Sequence, residues 1–94
     1  MHHGNVMVYL EAHALASAFS ETIRNAVSAA YYAVIDCDLP TEWEKKRDYV
    51  RDALVTLGYG KFESEQACNL IDSAFTNAGH YKVNPLYGCK GGDA

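Results

Sequence analysis

The sequence has too few cysteines, too little basic charge and too short an apolar run to belong to several large classes of protein. Its three cysteines, Cys37, Cys68 and Cys89, are odd in number and share no Cys-x-x-Cys spacing. That set excludes a disulfide framework and suits free thiols in a reducing compartment. The most apolar stretch, "AVSAAYYAVI" at 26–35, is about half the length a membrane span needs, and Glu21 and Arg24 lie just before it. Lys and Arg number 8 against 12 Asp and Glu, so the net charge of −4 offers no general attraction to nucleic acid or to an anionic membrane. A basic start followed by an apolar run is missing from "MHHGNVMVYLEAHAL", so no signal peptide is expected and a cytoplasmic protein is. Repeats and low-complexity tracts are missing too.

Signatures of chemistry are equally sparse. Nucleophilic catalysis needs Ser or Cys, a His base and an orienting acid in one site. The possible bases are His2, His3, His13 and His80, two of them at the terminus, and no Gly-x-Ser-x-Gly elbow accompanies them. The acid pairs Asp36/Asp38 and Glu63/Glu65 sit where helix ends are expected, the usual place for acids facing a helix dipole. "GYG" at 58–60 lacks the Lys-Ser/Thr that a phosphate-binding loop requires. Met1-His2-His3 could capture Cu²⁺ or Ni²⁺ at a free amine, and Cys37, His80 and Cys89 could meet in space, but no short ligand pair seeds a zinc site. The expectation is no catalytic residue, no metal and no cofactor.

What remains is a chain of 94 residues, apolar at 49% and charged at 21%, which is the composition of one globular domain with a modest core. Between 6 and 36 it is rich in Ala with no Gly or Pro, and Leu15, Phe19, Ile23, Ala26, Ala30 and Val34 recur at helical steps. One long helix is expected there. Only Glu21 and Arg24 carry full charge between 12 and 35, so such a helix is too apolar to leave a side in water. The pairs Ala12/Ala16, Ala14/Ala18, Ala26/Ala30 and Ala29/Ala33 would let another backbone come close, and self-association through this helix is expected.

Pro40 stops the first helix. Thr41 and Glu44 suggest a capping box for a second helix over 42–57, with Trp43, Val50, Leu54 and Leu57 as its core stripe and Gly58 as its left-handed cap. Ser64 caps a third helix over 65–78, whose inner face is Ala67, Leu70, Ile71, Ala74 and Phe75, and Gly79 ends it. The tail "HYKVNPLYGCKGGDA" carries turn signals and no period. The sequence therefore predicts an all-α, three-helix single domain over 1–94, with an irregular C-terminal arm and mobile ends at 1–5 and 88–94.

The stretch "DALVTLGYGKFESEQACNLIDSA" at 52–74 resembles the ubiquitin-associated type of helical module. Such modules place Leu-Gly-Tyr or Met-Gly-Phe between two helices and follow it with an acidic helix containing Ala. Leu57, Gly58, Tyr59 and Ala67 match that pattern. The resemblance implies a loop that docks on a protein partner. Here the expected loop is about three residues longer, and the tail stands where the module has its third small helix. Geometry accounts for the same residues: Gly58 caps, Tyr59 covers the helix ends and Gly60 permits a second sharp turn.

Seven Tyr in so short a chain suit a contact surface. The functional expectation is a non-enzymatic protein-binding module: a small regulator, adaptor or inhibitor, of a kind that would suit a phage or mobile element. Its working surface is Tyr59, Lys61 and Phe62 with Tyr81, Leu86 and Tyr87 from the arm. The alternative is phosphate binding, of a nucleotide or nucleic acid, through Lys45, Lys46, Arg47, Arg51 and Lys61. Glu42, Glu44 and Asp48 lie among those cations and weaken that case.

Overall fold

The computed structural model describes residues 6–83 in backbone and 6–78 in side chain. Among the described residues it is helical without strands, in five helices: α1 (Val6–Ala16), α2 (Glu21–Ala29), α3 (Tyr31–Ile35), α4 (Pro40–Thr56) and α5 (Lys61–Val83). None is long and apolar enough to cross a membrane. The expected mobile ends, 1–5 and 88–94, lie outside the described residues, as does the arm beyond 83.

The expected single N-terminal helix is three helices, and serine explains the first break. Ser17 Oγ donates to the Ala14 carbonyl at 2.6 Å. The amides of Ser17, Ala18 and Phe19 each reach back three residues, to Ala14, Leu15 and Ala16, which closes α1 in a tight turn. Ser20 then takes an extended backbone and its side chain accepts from the Ile23 amide, capping α2. Arg24 donates to the Phe19 carbonyl at 2.7 Å and clips the corner. The second break is slighter: Ala30, at φ −86° and ψ 6°, kinks the chain between α2 and α3. Phe19, expected inside, is exposed at this corner, while Ile23, Ala26, Ala30 and Val34 are buried as their spacing predicts.

Helix α4 begins two residues earlier than expected. Leu39 is its N-cap, Pro40 occupies the first position, and Glu42 rather than Glu44 folds back to accept from the amides of Asp38 and Leu39. Trp43, Val50 and Leu54 face the core, but Leu57, at the end of the stripe, is exposed. Its C-terminus is closed by a left-handed cap. Gly58 stands at φ 101°, its amide donates to the Val55 carbonyl, and the Tyr59 amide donates to the Leu54 carbonyl.

Helix α5 starts at Lys61, four residues before the expected position, and runs through Gly79 and Tyr81 to Val83. Ser64 is consequently not its cap. It is buried in the first turn, and its hydroxyl has no hydrogen-bond partner among the described residues. Ala67, Ile71, Ala74 and Phe75 face inward as read, with Cys68 beside them. α5 is the central element, packed against α1, α2 and α4.

Candidate functional site

The α4–α5 turn is the stretch that the sequence singles out, and it spans only Leu57–Gly60. The longer loop expected from the late start of the third helix is absent. Two glycines hold it, Gly58 at φ 101° and Gly60 at φ 88°, conformations that other residues adopt at a cost. A side chain at Gly60 would also collide with the carboxylate of Glu63.

Around this turn the apolar side chains divide. Tyr59 is half-buried and packs on the core. On either side of it Leu57 is 68% and Phe62 65% exposed, and Tyr49, two turns before Leu57 on α4, is 77% exposed. Tyr49, Asp52, Ala53, Thr56 and Leu57 line one shallow groove of about 460 Å³. A second, of about 610 Å³, is lined by Arg51, Asp52, Val55, Thr56 and Lys61. Thus Lys61 and Phe62 of the expected surface are open to solvent at the corner, and Tyr59 spends its ring on the bundle. The side chains of Tyr81, Leu86 and Tyr87 lie outside the described ones. Leu57, expected in the core stripe of α4, is instead exposed, because the buried face of that helix ends one turn earlier, at Leu54.

The basic cluster is differently disposed. Arg47 donates from Nε to Asp72 Oδ2 at 2.9 Å and from Nη2 to Glu65 Oε2 at 3.0 Å, and also to Asn69 Oδ1. Arg51 pairs with Glu65 at 3.4 Å, Asp48 at 3.5 Å and Asp52 at 3.3 Å. Asp72 in turn accepts from the buried Trp43 indole at 2.7 Å. The hydrogen bond from Arg47 holds the Glu65 carboxyl below its ordinary range, against a smaller opposing effect of desolvation. Two of the five cations are therefore occupied by carboxylates, whereas Lys45, Lys46 and Lys61 extend into solvent. Beside this network a groove of about 390 Å³ runs between α4 and α5, walled by Pro40, Trp43, Glu44, Arg47 and Phe75.

One Ser–His contact occurs among the described residues, and it is not a primed nucleophile. His13 Nε2 lies 3.0 Å from Ser28 Oγ, but that hydroxyl donates to the Arg24 carbonyl at 3.2 Å. The imidazole ring also packs against the Tyr9 ring, their centroids 5.7 Å apart. Of the thiols, Cys68 is pushed up to about 11 by burial, and Cys37, also buried, is raised for the same reason. Burial disfavours the thiolate at both. No group of three metal-binding side chains occurs among the described residues. Comparison with protein-family models, with curated proteins and with solved structures finds no match to this chain.

Proposed function

We propose that the chain is a non-enzymatic protein-binding module, a small regulator, adaptor or inhibitor that works by occupying a partner's surface. The observation that carries this reading is that Leu57 and Phe62, each more than three-fifths exposed, flank a turn whose backbone is set by two glycines, while Tyr49, also exposed, shares a groove of α4 with Leu57. Large apolar side chains kept in water at and beside this corner cost solvation that a partner would recover. Presenting them pre-ordered spares the entropy a flexible loop would lose on binding. Lys61 beside them favours a partner cleft that is apolar within and acidic at its edge. Tyr59 serves this surface from below by anchoring the turn.

The phosphate-binding alternative finds less support, because neutralising phosphates would require Arg47 and Arg51 to leave carboxylates they already hold.

The test is a comparative affinity capture from the source cell, using the wild type and the double variant Leu57→Ser/Phe62→Ser. Both positions are exposed, so the variant should melt as the wild type does. A protein retained by the wild type in high salt and lost by the variant would support the corner as the docking surface. Identical captures would refute it.

A further inference from the structure

We propose that Tyr9 and Tyr31 form an oxidative modification site, at which a one-electron oxidant joins the two rings covalently and staples α1 to α3. Of the seven Tyr in the chain, the docking corner draws only on Tyr49 and Tyr59. Three others meet on the N-terminal helices. The Tyr31 ring stands against that of Tyr9 with centroids 4.8 Å apart at 83°, and against that of Tyr32 at 5.0 Å and 73°. Both contacts are edge to face, an arrangement that aromatic pairs prefer. Tyr9 belongs to α1 and Tyr31 to α3, two helices that pack on each other. Folding therefore holds in contact two phenols that lie far apart in the chain.

The row is open to a diffusible oxidant: Tyr9 and Tyr31 are partly buried, and Tyr32 beside them is 75% exposed. Competing sites are less suited. Cys37 and Cys68 are buried, and burial disfavours the thiolate that would be oxidised. Trp43 is buried, with its indole N–H held by Asp72. Met7 is exposed, but its oxidation adds an oxygen atom to sulfur and is a different reaction. Tyr49 is exposed too, yet no second ring stands against it among the described residues, so a radical formed there has no partner within the chain.

Each phenol gives one electron to an oxidant of the haem-peroxide or oxidised metal-polypyridyl class and its proton to water, leaving two tyrosyl radicals. Their spin density is high on the ring carbons beside the oxygen, and a C–C bond forms between one such carbon of each ring. Those two carbons then release their hydrogens as protons while both oxygens take protons back, which restores the aromatic rings. The chain has lost two hydrogen atoms, the oxidant has gained two electrons and water two protons. Tyr31 and Tyr32 are the competing pair. They are consecutive residues of one helix, whose side chains leave the backbone in different directions, whereas Tyr9 and Tyr31 approach from facing helices.

The test illuminates the full chain, dilute enough to disfavour coupling between molecules, with a ruthenium tris-bipyridyl complex and persulfate. Dityrosine fluorescence is expected in the monomer fraction, and peptide mapping should join residue 9 to residue 31. Tyr9→Phe and Tyr31→Phe should each remove most of that fluorescence, whereas Tyr32→Phe and Tyr49→Phe should retain it. Oxidation of the urea-unfolded wild type should lose it as well. The cross-linked monomer should unfold at higher urea than the untreated chain, since the bridge closes a loop that the unfolded state would otherwise explore. A monomer without dityrosine, a map that joins Tyr31 to Tyr32 or any other pair, or an equal yield from the unfolded chain would each overturn the proposal. The wild-type map decides between these outcomes even where a Phe variant lowers stability.

Discussion

Between α4 and α5 large and polar side chains meet. Trp43 stacks on Phe75 with ring centroids 6.0 Å apart, its indole is held by Asp72, and Arg47 spans the helices to Glu65 and Asp72. Among α1, α2 and α3 the buried residues are Val8, Ala12, Ala16, Ile23, Ala26, Val27, Ala30 and Val34, all but Ile23 of them Ala or Val, and Arg24 spends its charge on a carbonyl. The first interface is specified by direction, the second by size. Stability in the first is lost by removing atoms and in the second by adding them.

That contrast can be broken most sharply at Trp43. Trp43→Ala removes the largest buried side chain and leaves Asp72 without its indole donor, and should cost about 3–5 kcal/mol. A thermal melt left unchanged would show that the α4–α5 interface does not rest on this anchor. The converse experiment is Ala26→Leu, at a position with 0% exposure. Enlarging it should cost about 1–3 kcal/mol by urea titration, although the substitution adds apolar surface. A stabilised Ala26→Leu chain would mean that the N-terminal half is loosely packed, and the contrast would collapse.

The turn that joins the two polar helices offers a smaller effect of a different origin. At Gly58 no atom would obstruct a side chain, so Gly58→Ala isolates the backbone term at φ 101°. The expected loss is about 1–2 kcal/mol. Equal stability of the two chains would argue that the cap adapts, and that the corner carrying Leu57 and Phe62 is less rigid than the proposed docking surface requires.

Helix content and most inward faces were legible in the sequence because they depend on neighbours three and four residues away. Trp43, Val50 and Leu54 in α4, and Ala67, Ile71, Ala74 and Phe75 in α5, declared themselves in this way. The breaks were less legible. Ala-rich composition argues for one long N-terminal helix, and only Ser17 and Ser20 mark where a side chain competes for the backbone. Ser64 is by residue type a good cap, which favours a later start for α5, but in the fold it is buried inside the first turn. Of the exposed side chains at the candidate corner, Phe62 and Lys61 follow from their place beside glycines, but the exposure of Tyr49 and Leu57 depends on which way α4 faces at its end. The Trp43–Asp72–Arg47 contacts join residues 25 and 29 positions apart, a separation no local pattern encodes.

The smallest effect expected tests whether direction, and not only burial, holds the α4–α5 side. Glu65 accepts from both Arg47 and Arg51, and its carboxyl is held below the ordinary range chiefly by the Arg47 hydrogen bond. A carboxyl lowered on folding contributes stability that is present above its unfolded value, about 4.3, and is lost as pH falls through the folded value. Arg47 stays protonated throughout, so the window belongs to the acid alone. The side chain is 41% exposed, which makes the contribution small and sensitive to salt. Urea titrations of the wild type and Glu65→Gln should therefore differ most at neutral pH in dilute buffer, and the difference should close as pH falls through the lowered folded value, where the native side chain becomes a neutral acid resembling the amide. Added salt at neutral pH should narrow the same gap. A difference that persists unchanged from neutral to acid pH would assign the role of Glu65 to shape rather than charge, and the two halves of the molecule would then be held by the same means.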